Sequence, residues 1–367
     1  MHASGLARGV VPAAPPAPTM SFATTTAPAP PMLPERIGKY RVLRRLGEGT
    51  TAEVFLCHDE FNDRQVAIKR VRTEMLADQQ DGHFFERFFA AEAALAGRLQ
   101  HPNVVQIYDA VPDPSGPYLV MEYVPGSTLR DFCTAAHLLP LEQVVEIGFK
   151  CAMALGYCYR EGLVHRDVKP ANILAMTRAG LVTDVKITDF GSVLNLRSEV
   201  TQVHRVGSLA YMSPEQIEGA ELDCRSDIYA LGTVLYHLIT GRPPFDAPNQ
   251  AAIVQKIFHA EPVPPSQMRA GVSPAVDQVV LKALAKHPDG RFPDWDTFGQ
   301  ALSALISQQH VPRGDLQSVL DSERFNLLRK LEFFRDFGDA QLWEVVQRAR
   351  WQRFQTGHAL YRRGEEG

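Results

Sequence analysis

The chain has 367 residues, a formal net charge of −4, and apolar and charged contents of 45% and 22%, the profile of a globular protein large enough for a two-lobed unit and something extra. That balance leaves no footprint for nucleic acid or an acidic membrane surface as main partner. Five scattered cysteines (Cys57, Cys133, Cys151, Cys158, Cys224) form no CxxC pair or Cys/His cluster, so they read as reduced, mostly buried thiols of a cytoplasmic protein, not as disulfides or zinc ligands.

Residues 1–34 are dominated by Pro, Ala and Thr and hold two starts besides Met1, at Met20 and Met32. Too few large side chains are present to offset ordering entropy, so the segment reads as a disordered tail, with a polyproline ligand as the alternative. No apolar run follows a basic start, so no secretory leader is expected. From Ile37 the pattern turns to short strands: Arg41-Val42-Leu43, Val54-Phe55-Leu56 and Val66-Ala67-Ile68-Lys69, punctuated by Gly47 and Gly49, which predicts an antiparallel sheet. A helix is expected over 83–99, its stripe running Phe84, Phe88, Ala91, Leu95. The wider aromatic run Phe84, Phe85, Phe88, Phe89 reads either as core or as a self-association surface.

His101-Pro102 ends that helix, and strands are expected over 104–108 and 118–123. Beyond Ser127 helices are expected near 140–161, 224–240, 248–258, 274–284 and 294–307. The longest apolar stretch, 144–159, carries Glu146 and Lys150. It is too short and too charged for a bilayer and reads as a buried helix. A strand-rich third followed by a helical remainder predicts an α+β fold of two lobes with a cleft between them.

The chemistry begins with Gly47-Glu48-Gly49-Thr50-Thr51-Ala52, a hairpin able to fold closely over phosphates, although Ala52 stands where a third glycine is usual. Lys69 ends the Val-Ala-Ile-Lys strand. Glu92, set among the small residues Ala90, Ala91, Ala93 and Ala94, is its expected partner in preference to Glu86. A lysine held by a buried carboxylate can serve as a fixed cation for α- and β-phosphates.

The most informative stretch is His165-Arg166-Asp167-Val168-Lys169-Pro170-Ala171-Asn172. It is followed by Asp189-Phe190-Gly191 and by Gly207-Ser208 through Ser213-Pro214-Glu215. With these motifs in order, residues 37–307 resemble the eukaryotic-type protein kinases, in a form similar to the bacterial serine/threonine enzymes. The resemblance implies the bilobal kinase fold, ATP and Mg²⁺ as cofactors, and protein substrates. It makes Asp167 the carboxylate that takes the acceptor hydroxyl proton, Lys169 a cation near the γ-phosphate, Asn172 and Asp189 the metal ligands, and His165 a packing residue beneath Phe190.

Lys169, two residues past Asp167, and the hydroxyl of Ser208, expected to bond Asp167 and Lys169, resemble the serine/threonine branch. For adenine, Ala67 would roof the pocket, Leu46 and Val54 cover it, Leu174 floor it and Met121 gate it, with Glu122, Tyr123 and Val124 as the hinge strand. Asp227 is the expected clamp of the catalytic loop and Arg291 the partner of Glu215. Arg166 implies an anion on the activation loop, with Thr201 first and Ser198 second as phosphorylation candidates. A pseudokinase scaffold is the competing reading, and the presence of Lys69, Asp167 and Asp189 argues against it.

Residues 308–323 read as a polar linker. In 324–367 one helical stripe is expected through Leu327, Leu328, Leu331 and Phe334, another through Leu342, Val345, Val346 and Ala349, and a strand pair over 351–361. This segment resembles the start of a cyclic-nucleotide-binding domain without its phosphate-binding cassette, a truncated, partial α+β unit; the alternative is a short helical appendage on the kinase. No cyclic nucleotide binding is expected of this chain itself.

Overall fold

The computed structural model describes residues 33–49, 52–72, 89–113, 115–178, 180–192, 194–195, 208–312 and 320–352. Phe84, Phe85, Phe88, Ser198 and Thr201 lie outside them, as does the strand pair expected over 351–361 apart from Trp351 and Gln352, which are not in a strand.

Strands β1 (Arg36–Ile37), β2 (Tyr40–Glu48), β3 (Ala52–Asp59), β4 (Arg64–Val71), β5 (Ile107–Val111) and β6 (Tyr118–Glu122) form one sheet, in the order β1-β2-β3-β4-β6-β5. All its pairings are antiparallel, and the β3–β4 register is unbroken from Ala52↔Val71 to Asp59↔Arg64. Alternation along these strands sends Phe55, Cys57, Val66, Ile68, Tyr118 and Val120 into a core of their own. It sends Ala67, Leu119 and Met121 to the other face, toward the rest of the chain. The strand expected over 104–108 begins later, at Ile107. Val104 instead makes a parallel bridge to Ile187, a long-range partner that local alternation does not encode. Only residues 89–93 of the expected helix over 83–99 are helical among those described, and 94–98 run on as turns.

The remainder is helical. It contains α1 (Leu141–Arg160), α2 (Pro214–Glu218), α3 (Cys224–Thr240), α4 (Gln250–His259), α5 (Pro274–Ala283) and α6 (Trp295–Ser307), with the short strands β7 (Ser127–Thr128), β8 (Leu163–Val164), β9 (Ile173–Arg178), β10 (Leu181–Ile187) and β11 (Leu194–Asn195) at its upper face. Local chemistry sets several starts. Asp223, Asn249 and Asp294 accept from the amides of Arg225, Ala252 and Thr297 at 2.8, 2.9 and 2.7 Å, satisfying donors that a helix leaves orphaned at its N-terminus. Gly241, at φ 79°, ends α3. Helix α1 is buried along nearly its whole length, as its apolar run requires. Among the described residues no helix is long and apolar enough to cross a membrane. All five cysteines are free and buried, and burial pushes the thiols of Cys57, Cys133, Cys151 and Cys224 up to about 12.

Two further helices, α7 (Asp321–Lys330) and α8 (Asp339–Arg348), lie against α1 and share its core. Their buried residues match the expected stripes at Leu328, Leu342 and Val346 and depart from them elsewhere. Leu327 and Leu331 are exposed, while Phe325, Leu328, Leu342, Trp343 and Val346 are buried. Leu331 leaves the first stripe because α7 stops at Lys330 and a 3-10 turn, Glu332–Phe334, follows, whereas Phe334 still packs half-buried against the core and Leu327 lies on the exposed side of α7.

His101 is enclosed between the two parts. It stacks on Tyr157 of α1 with ring centroids 5.4 Å apart, and Trp343 of α8 meets it edge-on at 6.5 Å. Burial, aided by the charges of Lys186 and Arg160, pushes its imidazole down to about 3. Below the ordinary value of about 6.5 the unfolded chain therefore takes up a proton that the folded chain refuses, so stability present above that value is lost as pH falls. The expected loss from this group between pH 7 and pH 5 is about 2 kcal/mol. Denaturant unfolding at both pH values should show a smaller pH dependence for His101→Gln by that amount, and equal dependences would defeat the assignment.

Candidate active site

The cleft between sheet and helical part is lined by Leu46, Gly47, Val54, Ala67, Lys69, Met121, Glu122, Tyr123, Val124, Asn172, Leu174 and Asp189. Twelve positions spread over 144 residues of sequence thus meet in one cavity of about 490 Å³, apolar above and polar at one end. Val105, Gly126, Ser127, Thr128, Ala171 and Thr188 line it too and were not anticipated. Thr188 and Ala171 adjoin residues that were, but Val105 arrives only through the bridge beside it. Gly49 is not among the lining residues; its amide donates to the Ala52 carbonyl at 2.9 Å and closes the hairpin. Gly126, at φ 150°, lets the chain leave the hinge against β9, where any Cβ would overlap the Ala175 carbonyl.

At the polar end Lys69 Nζ lies 3.0 and 2.9 Å from the two Glu92 oxygens and 2.6 Å from Asp189 Oδ1. The expected partnership of Lys69 with Glu92 is therefore formed. Burial works against the Lys69 charge, but Glu92 and Asp189 hold the ammonium above its ordinary value. Burial, reinforced by Asp189, pushes the Glu92 carboxyl above the usual carboxylate range, with Lys69 opposing. For Asp189, the attraction of Lys69 outweighs burial and holds the carboxyl below that range. The hinge is tied across the lobes, since the Glu122 amide donates to Gln106 O at 2.9 Å and its carboxylate pairs with Lys186 at 3.0 Å.

The second cluster surrounds Asp167. Lys169 Nζ and Asn172 Nδ2 donate to Asp167 Oδ2 at 2.7 and 3.0 Å, and the Ser208 amide donates to Oδ1 at 3.0 Å. Ser208 thus reaches Asp167, but through its backbone N–H and not through the hydroxyl that the motif suggested. Asp227 holds the loop from below, accepting from the amides of His165 and Arg166 at 2.6 and 2.8 Å. Burial pushes its carboxyl up, and His165 and those amides pull it back. That grip holds Arg166 at φ 66°, and Asp189 sits at φ 68°. These conformations are costly for residues other than glycine and persist only where neighbours fix them. His165 Nδ1 accepts from the Asp167 amide at 3.3 Å, so Nε2 carries the proton and donates to Thr188 O at 3.2 Å. Its ring meets Phe190 at 4.9 Å.

A six-stranded antiparallel sheet beside a helical lobe, with a buried lysine–glutamate pair on one and a carboxylate-bearing loop on the other, defines the protein-kinase class of fold. The family model described as "Protein kinase domain" matches residues 40–303, and the chain belongs to that family. Among curated proteins it is 39% identical over 287 residues to a probable serine/threonine-protein kinase of Streptomyces coelicolor, covering 76% of this chain and 42% of that protein. It is 39% identical over 299 residues to the serine/threonine-protein kinase PknB of Mycolicibacterium smegmatis (79% and 46%). To the serine/threonine-protein kinase PrkC of Bacillus subtilis it is 36% identical over 291 residues (79% and 42%). The chain spans less than half the length of these relatives.

Proposed function

We propose that this protein is a serine/threonine protein kinase, transferring the γ-phosphoryl group of ATP to hydroxyls of protein substrates. The observation that carries the reading is the Asp167 carboxylate, fixed through both oxygens by Lys169, Asn172 and Ser208, at the open side of a cleft whose far end holds Lys69 between two carboxylates. Phosphoryl transfer asks a protein mainly for position and charge. Asp167 orients the acceptor oxygen and takes its proton. Lys169, beside it, supplies positive charge where the transferred group passes. Lys69, steadied by Glu92, holds the α- and β-phosphates. The purine lies between Ala67, Leu46 and Val54 above and Leu174 below, past Met121, with its edge against the backbone of Glu122 and Val124; Gly47 and Gly49 leave room for the phosphates.

The donor set fits Mg²⁺. With its NH₂ group committed to Asp167, Asn172 has its carbonyl oxygen left as a ligand, and Asp189 adds carboxylate oxygen. Two protein oxygen ligands suit a small hard cation that completes its shell with water and phosphate. When bound, that ion neutralises phosphate charge.

On this reading residues 35–307 are the catalytic unit, after a tail over 1–34 and before a linker over 308–323. Segment 324–367 is the opening of a cyclic-nucleotide-sensing unit, supported by its two-helix start and motif string. Thr201, and after it Ser198, take the activating phosphate. The aromatic run Phe84, Phe85, Phe88 and Phe89 is the candidate for self-association through the N-lobe, and the free thiols fit a cytoplasmic setting.

The test is label transfer from γ-labelled ATP with Mg²⁺ to three otherwise identical basic peptides bearing Ser, Thr or Tyr. Ser and Thr should be labelled and Tyr left unlabelled. Transfer no greater than that of Asp167→Asn on all three would establish a scaffold instead.

A further inference from the structure

Helices α7 and α8 follow the last kinase helix and pack on α1, and α8 meets a turn that reaches both carboxylates holding Lys69. We propose that α7 and α8 form an intramolecular brace, with Trp343 as a positioning residue that sets the Lys69–Glu92–Asp189 geometry through the turn 99–105. The proposal rests on the phosphotransfer reading of the cleft for its consequence, but not for its mechanics.

Two arms leave that turn. Toward Glu92 the chain is a succession of tight hydrogen-bonded turns: Leu95 N–H to Glu92 O at 3.0 Å, Arg98 N–H to Leu95 O at 3.0 Å, and Val104 N–H to His101 O at 3.0 Å, with Leu95 and Leu99 buried between them. Toward Asp189, Ile187 N–H donates to Asn103 O and Val105 N–H to Ile187 O, both at 2.8 Å. Ile187 stands two residues before Asp189, so a shift of the turn moves both carboxylates.

The brace holds the turn in two ways. One is aromatic. Trp343 is fully buried, edge-on to His101 at 6.5 Å, and packed on Phe149 at 6.1 Å and Phe325 at 5.5 Å. The other is polar, centred on Asp184. Asn103 Nδ2 and Lys150 Nζ donate to its Oδ1 at 2.8 and 3.1 Å, and Gln347 of α8 reaches Oδ2 at 3.5 Å. Lys150 in turn pairs with Asp321 at 2.9 Å, and the Ser322 amide donates to buried Glu146 at 3.1 Å, which pins the start of α7 to α1. A cover serving only to hide apolar surface would not need polar contacts converging on the same turn.

The experiment compares the full chain with Trp343→Ala, Trp343→Phe and Asp321→Asn. It measures amide hydrogen exchange over 89–105 and 321–348, affinity for a fluorescent ATP analogue, and KM for ATP against kcat. Trp343→Ala is expected to speed exchange in both segments and to weaken nucleotide affinity and raise KM several-fold. Trp343→Phe should restore most of this, and Asp321→Asn should act in the same direction more weakly. Faster exchange confined to 321–348, with nucleotide affinity unchanged, would overturn the proposal. Should Trp343→Ala fail to fold, Asp321→Asn decides by the same readouts: unchanged exchange over 89–105 and unchanged affinity would overturn the proposal. Exchange and affinity need no turnover, so a wild type that binds nucleotide without transferring phosphate would sink the activity reading and leave this one standing.

Discussion

Asp167→Asn is expected to lower kcat for peptide phosphorylation by about 10²–10⁴-fold, the range associated with removing a positioned acid–base group, while nucleotide affinity and melting temperature stay close to wild type. The reason lies in the three donors converging on the carboxylate. Lys169 and Asn172 share Oδ2, and the Ser208 amide takes Oδ1. An asparagine fills the same volume but presents an NH₂ group on one side, so a donor faces a donor and one of these contacts is lost. It also cannot accept the acceptor hydroxyl's proton. The Lys69–Glu92–Asp189 cluster shares no hydrogen bond with Asp167, so the phosphate-holding end of the cleft should be left intact. Steady-state kinetics with isothermal titration of the nucleotide separates the two ends. A kcat within tenfold of wild type would remove Asp167 from the reaction.

Much of this site is legible in sequence because its motifs are local. His165 to Asn172 spans a single loop, and Asp189-Phe190-Gly191 another. The Lys69–Glu92 pair could be anticipated because one strand and one neighbouring helix carry it. The long-range ties of Asp227 to the catalytic loop and of Arg291 to Glu215 were also legible, through their motifs; other contacts made through the backbone or across long separations were not. Motif logic assigns Ser208's role to its hydroxyl, but the backbone amide makes the bond to Asp167. Val104 looks like the start of a strand, but its bridge to Ile187 is 83 residues away in sequence. Trp343 falls outside the aliphatic stripe that periodicity marks, since its importance comes from His101 and Phe149 on other elements. Leu331 is exposed for the converse reason: periodicity marks a stripe only while the helix lasts, and α7 ends at Lys330.

The largest loss of stability is expected from Arg291→Met. The Arg291 side chain is wholly buried, with Nη1 2.6 Å from Glu215 Oε1 and Nη2 2.8 Å from Oε2, a bidentate pair. Its remaining donors reach the carbonyls of Ala285, Arg225 and Lys286 at 2.8, 2.9 and 2.9 Å. Ser226 Oγ adds a bond to Glu215 Oε1 at 2.7 Å. One guanidinium thus ties α2 to the start of α3 and to the turn after α5. Methionine can fill much of the volume but leaves Glu215 charged without its bidentate partner, and takes the guanidinium donors from the carbonyls of Ala285 and Lys286, at a cost of about 3–5 kcal/mol. The pH dependence carries a sign. In the wild type, burial raises the Glu215 carboxyl but Arg291 more than reverses it, so the folded value lies below the ordinary one. The pair's stabilisation is therefore present above the unfolded carboxylate value and lost as pH falls through the folded one. In Arg291→Met only burial remains to act strongly, the folded value rises above the unfolded one, and protonation relieves the variant as pH falls. The difference in unfolding free energy should accordingly be larger at pH 7.5 than at pH 4.5. The double variant Arg291→Met/Glu215→Leu should recover part of it at pH 7.5, because the stranded charge is gone. A single-variant loss below about 1 kcal/mol, or one equal at both pH values, would mean that the pair is not what holds α2 in place.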